Sequence, residues 1–134
     1  PQNKYDGDDD QPAVAAFGES FGVVWRHTTE EGSVIHGALV IGEQVRHRVA
    51  ISPPERAYEP AVACEPGEPC LVVWTRADGD QRDVVGRYWF PHEDGYVGES
   101  ILPIAVAEVR ERSAALAWNG EAGSYLVAWA YEGD

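Results

Sequence analysis

Three stretches of the chain share one rhythm of apolar and polar positions: "PAVAAFGESFGVVW" at 12–25, "PAVACEPGEPCLVVW" at 60–74 and "SAALAWNGEAGSYLVAW" at 113–129. Each is a short apolar segment, a turn, and a second apolar segment that ends in Trp25, Trp74 or Trp129. Pro12, Pro60 and Ser113 begin the three copies. The first two run on in step, with twelve residues from Trp25 to Gly37 and from Trp74 to Gly86, and "SVIHGALV" matching "DVVGRYWF". A fourth segment follows in each, "QVRHRVAIS" after Gly42 and Glu43, and "ESILPIAVAEV" after Gly98. Turn signals such as "GES", "TTEEGS", "EPGEP" and "ADGDQ" separate the segments, and no window has helical periodicity. The pattern predicts an all-β chain: an acidic extended arm over 1–11, full four-stranded copies over 12–59 and 60–112, and a partial copy over 113–134.

Runs such as "LVVW" are apolar on both strand faces, where a half-exposed strand would alternate. A sheet with two buried faces needs neighbours on both sides. Antiparallel four-stranded sheets stacked around an axis provide them, as in the blades of a β-propeller; an ordinary sandwich predicts more alternation. The motif "PAVA…LVVW…G…GE" resembles the blade repeat of bacterial secreted β-propellers, sialidase-like and WD40-like in appearance. The resemblance spans Pro12 to Trp129 and implies about two and a half blades. It does not extend to sialidase chemistry, because the chain has neither the Asp-box "SxDxGxTW" nor an "RIP" motif.

Charge narrows the partners. Ten basic residues against 23 acidic ones give a net charge of −13, which repels a phosphate backbone and argues against nucleic acid. No apolar run is long enough for membrane insertion as a helix. The chain has no methionine, so Pro1 reads as the start of a processed product or of an excerpt. Cys64 and Cys70 flank "EPGEP" at the base of a hairpin, where a disulfide fits; two buried free thiols are the alternative. A disulfide implies a secreted, extracellular or cell-surface location.

Candidate chemistry is sparse. Trp25, Trp74 and Trp129 recur with the repeat and read as core between blades. Trp89 and Trp118 break the pattern and read as freer to face solvent, where aromatic rings can hold a sugar or a protein partner. Asp78, Asp80 and Asp83, and likewise Asp6, Asp8, Asp9 and Asp10 in "DGDDD", place carboxylates close enough to share a hard cation such as calcium, although no EF-hand spacing is present. His36 and His47 would lie opposite each other if a two-residue turn fell at Ile41 and Gly42, which sketches a weak metal site. Arg46 and Arg48 form a rare basic spot that suits an acidic partner segment. No serine sits in a "GxSxG" context, and we read no catalytic site and no required cofactor.

The sequence therefore predicts a non-enzymatic extracellular structural or adhesive propeller subunit. Propellers close with four or more blades, so partners are expected to be copies of the chain or the remainder of one precursor. The open edge would be Tyr125, Leu126, Val127, Ala128 and Trp129, giving a filament, a surface layer or a multi-chain propeller. A carbohydrate-binding lectin completed by oligomerisation is the alternative, with glycans as ligands. A fragment of a propeller enzyme is the third reading.

Overall fold

Eleven strands and no helix form the described residues, which are 7–65, 69–93, 95–105, 110–119, 121 and 123–132 of the computed structural model. The strands β1 (Asp8–Phe17), β2 (Ser20–Thr29), β3 (Gly32–Ile41) and β4 (Gln44–Ala50) make one antiparallel meander. The second sheet starts with β5 (Ala57–Cys64), β6 (Cys70–Asp78) and β7 (Gln81–Phe90), again antiparallel. Two short strands, β8 (Tyr96–Val97) and β9 (Leu102–Ala105), pair with the outer edge of β7 where the first sheet has one continuous fourth strand. A last hairpin, β10 (Arg110–Asn119) and β11 (Ser124–Glu132), joins β7 through a single parallel pair, Arg110 with Arg82.

Turn chemistry explains the meander. The hairpins β1–β2, β3–β4 and β6–β7 close over Gly18 and Glu19, Gly42 and Glu43, and Gly79 and Asp80. The three glycines have φ of 61°, 60° and 62°, while none of the residues after them has positive φ. Glycine at the first central position of a two-residue loop is the type II′ signature, whose twist matches that of paired strands.

The backbone repeats more closely than the letters. Each first strand carries the same bulge: pairing skips between Asp10 and Ala13, between Tyr58 and Ala61, and between Arg112 and Ala115. Gln11 and Glu59 occupy one equivalent bulge position with φ of 52° and 53°, uncommon for residues with a Cβ. The Gln11 side chain accepts the Glu59 backbone N–H at 2.7 Å, so one bulge caps the next. Junctions repeat too. The ladders align β3 with β7 one residue away from the match of "SVIHGALV" with "DVVGRYWF", so that Ser33 is equivalent to Arg82 and Val40 to Trp89. Ser33 at the start of β3 bridges Arg56 in parallel, and Arg82 bridges the equivalent Arg110.

Because strands alternate, each repeat has two faces. We call the one bearing Trp25, or Trp74 in the second repeat, the front, and the other the back. The back of the first repeat (Val24, Ile35, Ala13, Ala15) packs on the front of the second (Val62, Cys70, Val72, Trp74, Val85, Trp89), forming one core. The back of the second (Leu71, Val73, Val84) packs on the front of the third (Leu116, Tyr125, Val127), forming another. Gly22 and Gly37 let the first junction pack closely, since a Cβ on either would lie a tight 3.1 Å from the Trp89 indole. Both cores are held by apolar burial.

Three expectations need correction. The acidic extended arm assigned to 1–11 is not separate from the first copy throughout: strand pairing begins at Asp8, and Asp9 and Asp10 meet His27 and Arg26 across the ladder on β2. Residues 1–6 lie outside the described residues. The third copy is displaced by one residue, since Ala115, and not Ala114, matches Ala13 and Ala61 in the ladder. Ala114, not Ser113, therefore takes the place of Pro12 and Pro60. Finally, Trp89 does not face solvent; it is fully buried, filling the hollow over Gly22 and Gly37.

Candidate functional site

Polar side chains gather at one end of the first repeat, with Asp9, Trp25 and His27 on the front face and Asp10 and Arg26 on the back. The bulge in β1 sets Asp9 opposite His27 and Asp10 opposite Arg26. His27 donates from Nδ1 to Asp9 at 2.6 Å, and the Trp25 indole N–H reaches the same carboxylate oxygen at 3.2 Å. Arg26 donates from Nε to Asp10 at 2.7 Å and through a second guanidinium nitrogen. This fork holds the Asp10 carboxyl below the usual carboxylate range and raises Arg26, with slight burial opposing both shifts.

A stack of rings lies behind this pair. The His27 and His36 rings are 4.7 Å apart and nearly parallel, and both are buried. Arg48 donates to His36 Nδ1 at 3.3 Å and sits 5.1 Å above the Trp25 ring, within cation–π range. His27 Nε2 is buried with no hydrogen-bond partner among the described residues. Beside this network a surface cleft of about 260 Å³ is lined by Asp9, Asp10, Pro12, Val23 and Trp25.

A second, more polar cleft of about 410 Å³ lies where the segment before β5 meets the β6–β7 turn, lined by Glu55, Arg56, Arg76, Asp78, Gln81 and Asp83 among others. Burial raises the Glu55 carboxyl above its ordinary value, partly offset by the Trp74 indole N–H, 3.4 Å away, and by the charge of Arg76.

The residues singled out from sequence fall as follows. Cys64 and Cys70 pair across the β5–β6 hairpin as a disulfide, with sulfurs 2.07 Å apart. Trp74 is fully buried between repeats, whereas its equivalent Trp25 is only half-buried. Trp129 lies in β11, and its side chain is outside the described residues. Trp118 is half-buried with its ring 4.9 Å from that of Tyr125. The Tyr125 hydroxyl donates to the Pro69 carbonyl at 2.9 Å, while Leu126 and Ala128 face solvent and Val127 turns inward.

His36 and His47 are not opposite each other. The turn falls one residue later than expected, at Gly42 and Glu43, and His47 is itself a bulge residue with φ of 58°. His36 therefore faces Ala50. The Asp78, Asp80 and Asp83 carboxylates do not converge either. Asp78 and Asp80 are exposed, but Asp83 is buried against Gln81 at 3.1 Å and Arg76 at 3.7 Å. Among the described residues no group of three His, Cys, Asp or Glu side chains is placed to hold a metal ion. Arg46 folds back on Gln44 at 3.0 Å.

Arg26, His27 and Glu55 carry no signal of a site in the sequence, and Asp9 and Asp10 read there only as part of the acidic run "DGDDD". Their one signal is cross-strand pairing, and it becomes legible only when the β1 bulge is known. Comparison with protein-family models, curated proteins and solved structures finds no match to this chain.

Proposed function

We propose that this chain is a non-enzymatic extracellular structural or adhesive subunit, built of about two and a half propeller-type blades, that assembles with other chains. One observation carries the reading: the junction between repeats occurs twice in one geometry, with the Ser33–Arg56 and Arg82–Arg110 bridges at equivalent positions. A unit that adds to itself by a fixed operation generates an array, which closes as a ring or extends as a filament according to the rotation. Disulfide pairing of Cys64 with Cys70 supports an oxidising compartment. The edge strand β11, which pairs only with β10 among the described residues, supports growth beyond the third repeat.

Sedimentation and electron microscopy of the purified chain test this reading. We expect concentration-dependent rings or filaments at tens of micromolar and no selective binding on a glycan array. A strict monomer would overturn it. Selective capture of one sugar class by a discrete ring would transfer the assignment to the lectin alternative.

A further inference from the structure

Equivalent positions on the two front faces have opposite fates. Val62 and Cys70 on the second repeat are buried under the back of the first, but their equivalents Val14 and Phe21 are 61% and 51% exposed. Val45 on the same front face is 66% exposed. At the other end of the molecule, the back of the third repeat leaves Leu126 69% exposed, beside Ala115, Ala117 and Ala128. The equivalents of these residues in the first repeat, Gly22, Ala13, Ala15 and Val24, form the face that packs on the second. The chain thus presents both halves of a contact that it already makes twice within itself.

We propose that the front face of the first repeat binds the back face of the third repeat of a second copy of this chain. The inference rests on the assembly reading above and specifies its surface: face against face, head to tail. Side-chain volumes agree with it. At the internal junction one front tryptophan, Trp89, sits over two back glycines, Gly22 and Gly37. At the contact between copies the Trp89 equivalent is Val40 and the Gly22 equivalent is Leu126, so the front loses volume where the back gains it. Compensating changes of volume at one contact are the ones apolar packing tolerates best, and the larger Phe21 in place of Cys70 adds apolar area to the same front. Two apolar sheet faces with exposed Phe, Val and Leu are also the surfaces most costly to leave in water.

The experiment uses Phe21→Glu to block the front and Leu126→Glu to block the back. Both side chains are exposed, so each variant should keep the parent's circular dichroism and melting midpoint. We expect each alone to sediment as a monomer at concentrations where the parent assembles. An equimolar mixture should form a dimer and stop there, because one intact front meets one intact back. If the variants assemble as the parent does, the faces are wrong while the assembly reading stands. If both are monomeric and the mixture does not dimerise, the contact is not head to tail. If the parent itself is monomeric, both proposals fall together.

Discussion

At the scale of residues, one letter in one phrase has two fates. Trp74 lies between repeats and Trp25 at the end of the stack, and nothing in "GVVW" or "LVVW" distinguishes them. The burial of Trp89 is not legible locally because it depends on Gly22 and Gly37, which lie more than fifty residues earlier in the chain. Charges behave likewise: Asp9 and Asp10 look like a solvated acidic run until Arg26 and His27 are brought across from β2. Glu55 gives the sharpest test at this scale. Burial raises its folded carboxyl above the unfolded value, so the protonated form is the one the fold favours. Its stabilising share is fully present below the unfolded carboxylate range, near about 4.3, and is lost as pH rises through the folded value. Glu55→Gln should therefore raise the melting midpoint at pH 7, by up to about 1 kcal/mol in stability, and the gain should vanish near pH 4. Asp10 has the opposite sign, because Arg26 lowers its carboxyl; that contribution is present at neutral pH and disappears on acidification. A Glu55→Gln midpoint that falls at pH 7 would show that its contacts with Trp74 and Arg76 outweigh its burial.

Elements were the most legible level. Gly-Glu and Gly-Asp turns, strand-length apolar runs and the twelve-residue spacing all reappear as hairpins and ladders. What the pattern could not carry was register. Bulges at Gln11, His47 and Glu59 have no letter of their own, and the longer loop of the third hairpin conceals a one-residue offset. The β5–β6 hairpin differs from its two counterparts in having a covalent closure, with Cys64 and Cys70 directly paired in the ladder. A loop this short restricts the unfolded chain by about 2 kcal/mol in the chain-entropy account. We expect the double variant Cys64→Ala, Cys70→Ala to lose about that much in urea unfolding, and reduction of the parent to reproduce the loss. Because β6 is central to both cores, the loss should appear in the global transition and not as local fraying. Free thiols in non-reducing peptide maps of the native protein would contradict the pairing.

For the whole molecule, apolar contact and electrostatics oppose one another. A net charge of −13 on 134 residues disfavours bringing copies together, while the exposed front and back faces favour it. Screening decides the balance, since the Debye length shrinks from about 30 Å at 0.01 M salt to about 8 Å at 0.15 M. Stacked copies place whole repeats within that range, so their repulsion falls steeply over this interval. Apolar burial, by contrast, is almost insensitive to salt at such concentrations. We therefore expect self-association to strengthen by tenfold or more between 0.01 and 0.15 M sodium chloride, the reverse of an interface made of ion pairs. Calcium provides the control. If divalent ions act only by screening, calcium chloride and sodium chloride at matched ionic strength will give the same sedimentation profile. A calcium effect beyond ionic strength, removed by chelator, would mean that acidic loops such as Asp78 and Asp80 are bridged between copies. Association that weakens as salt rises would remove apolar faces as the driving contact and return the role to Arg46 and Arg48.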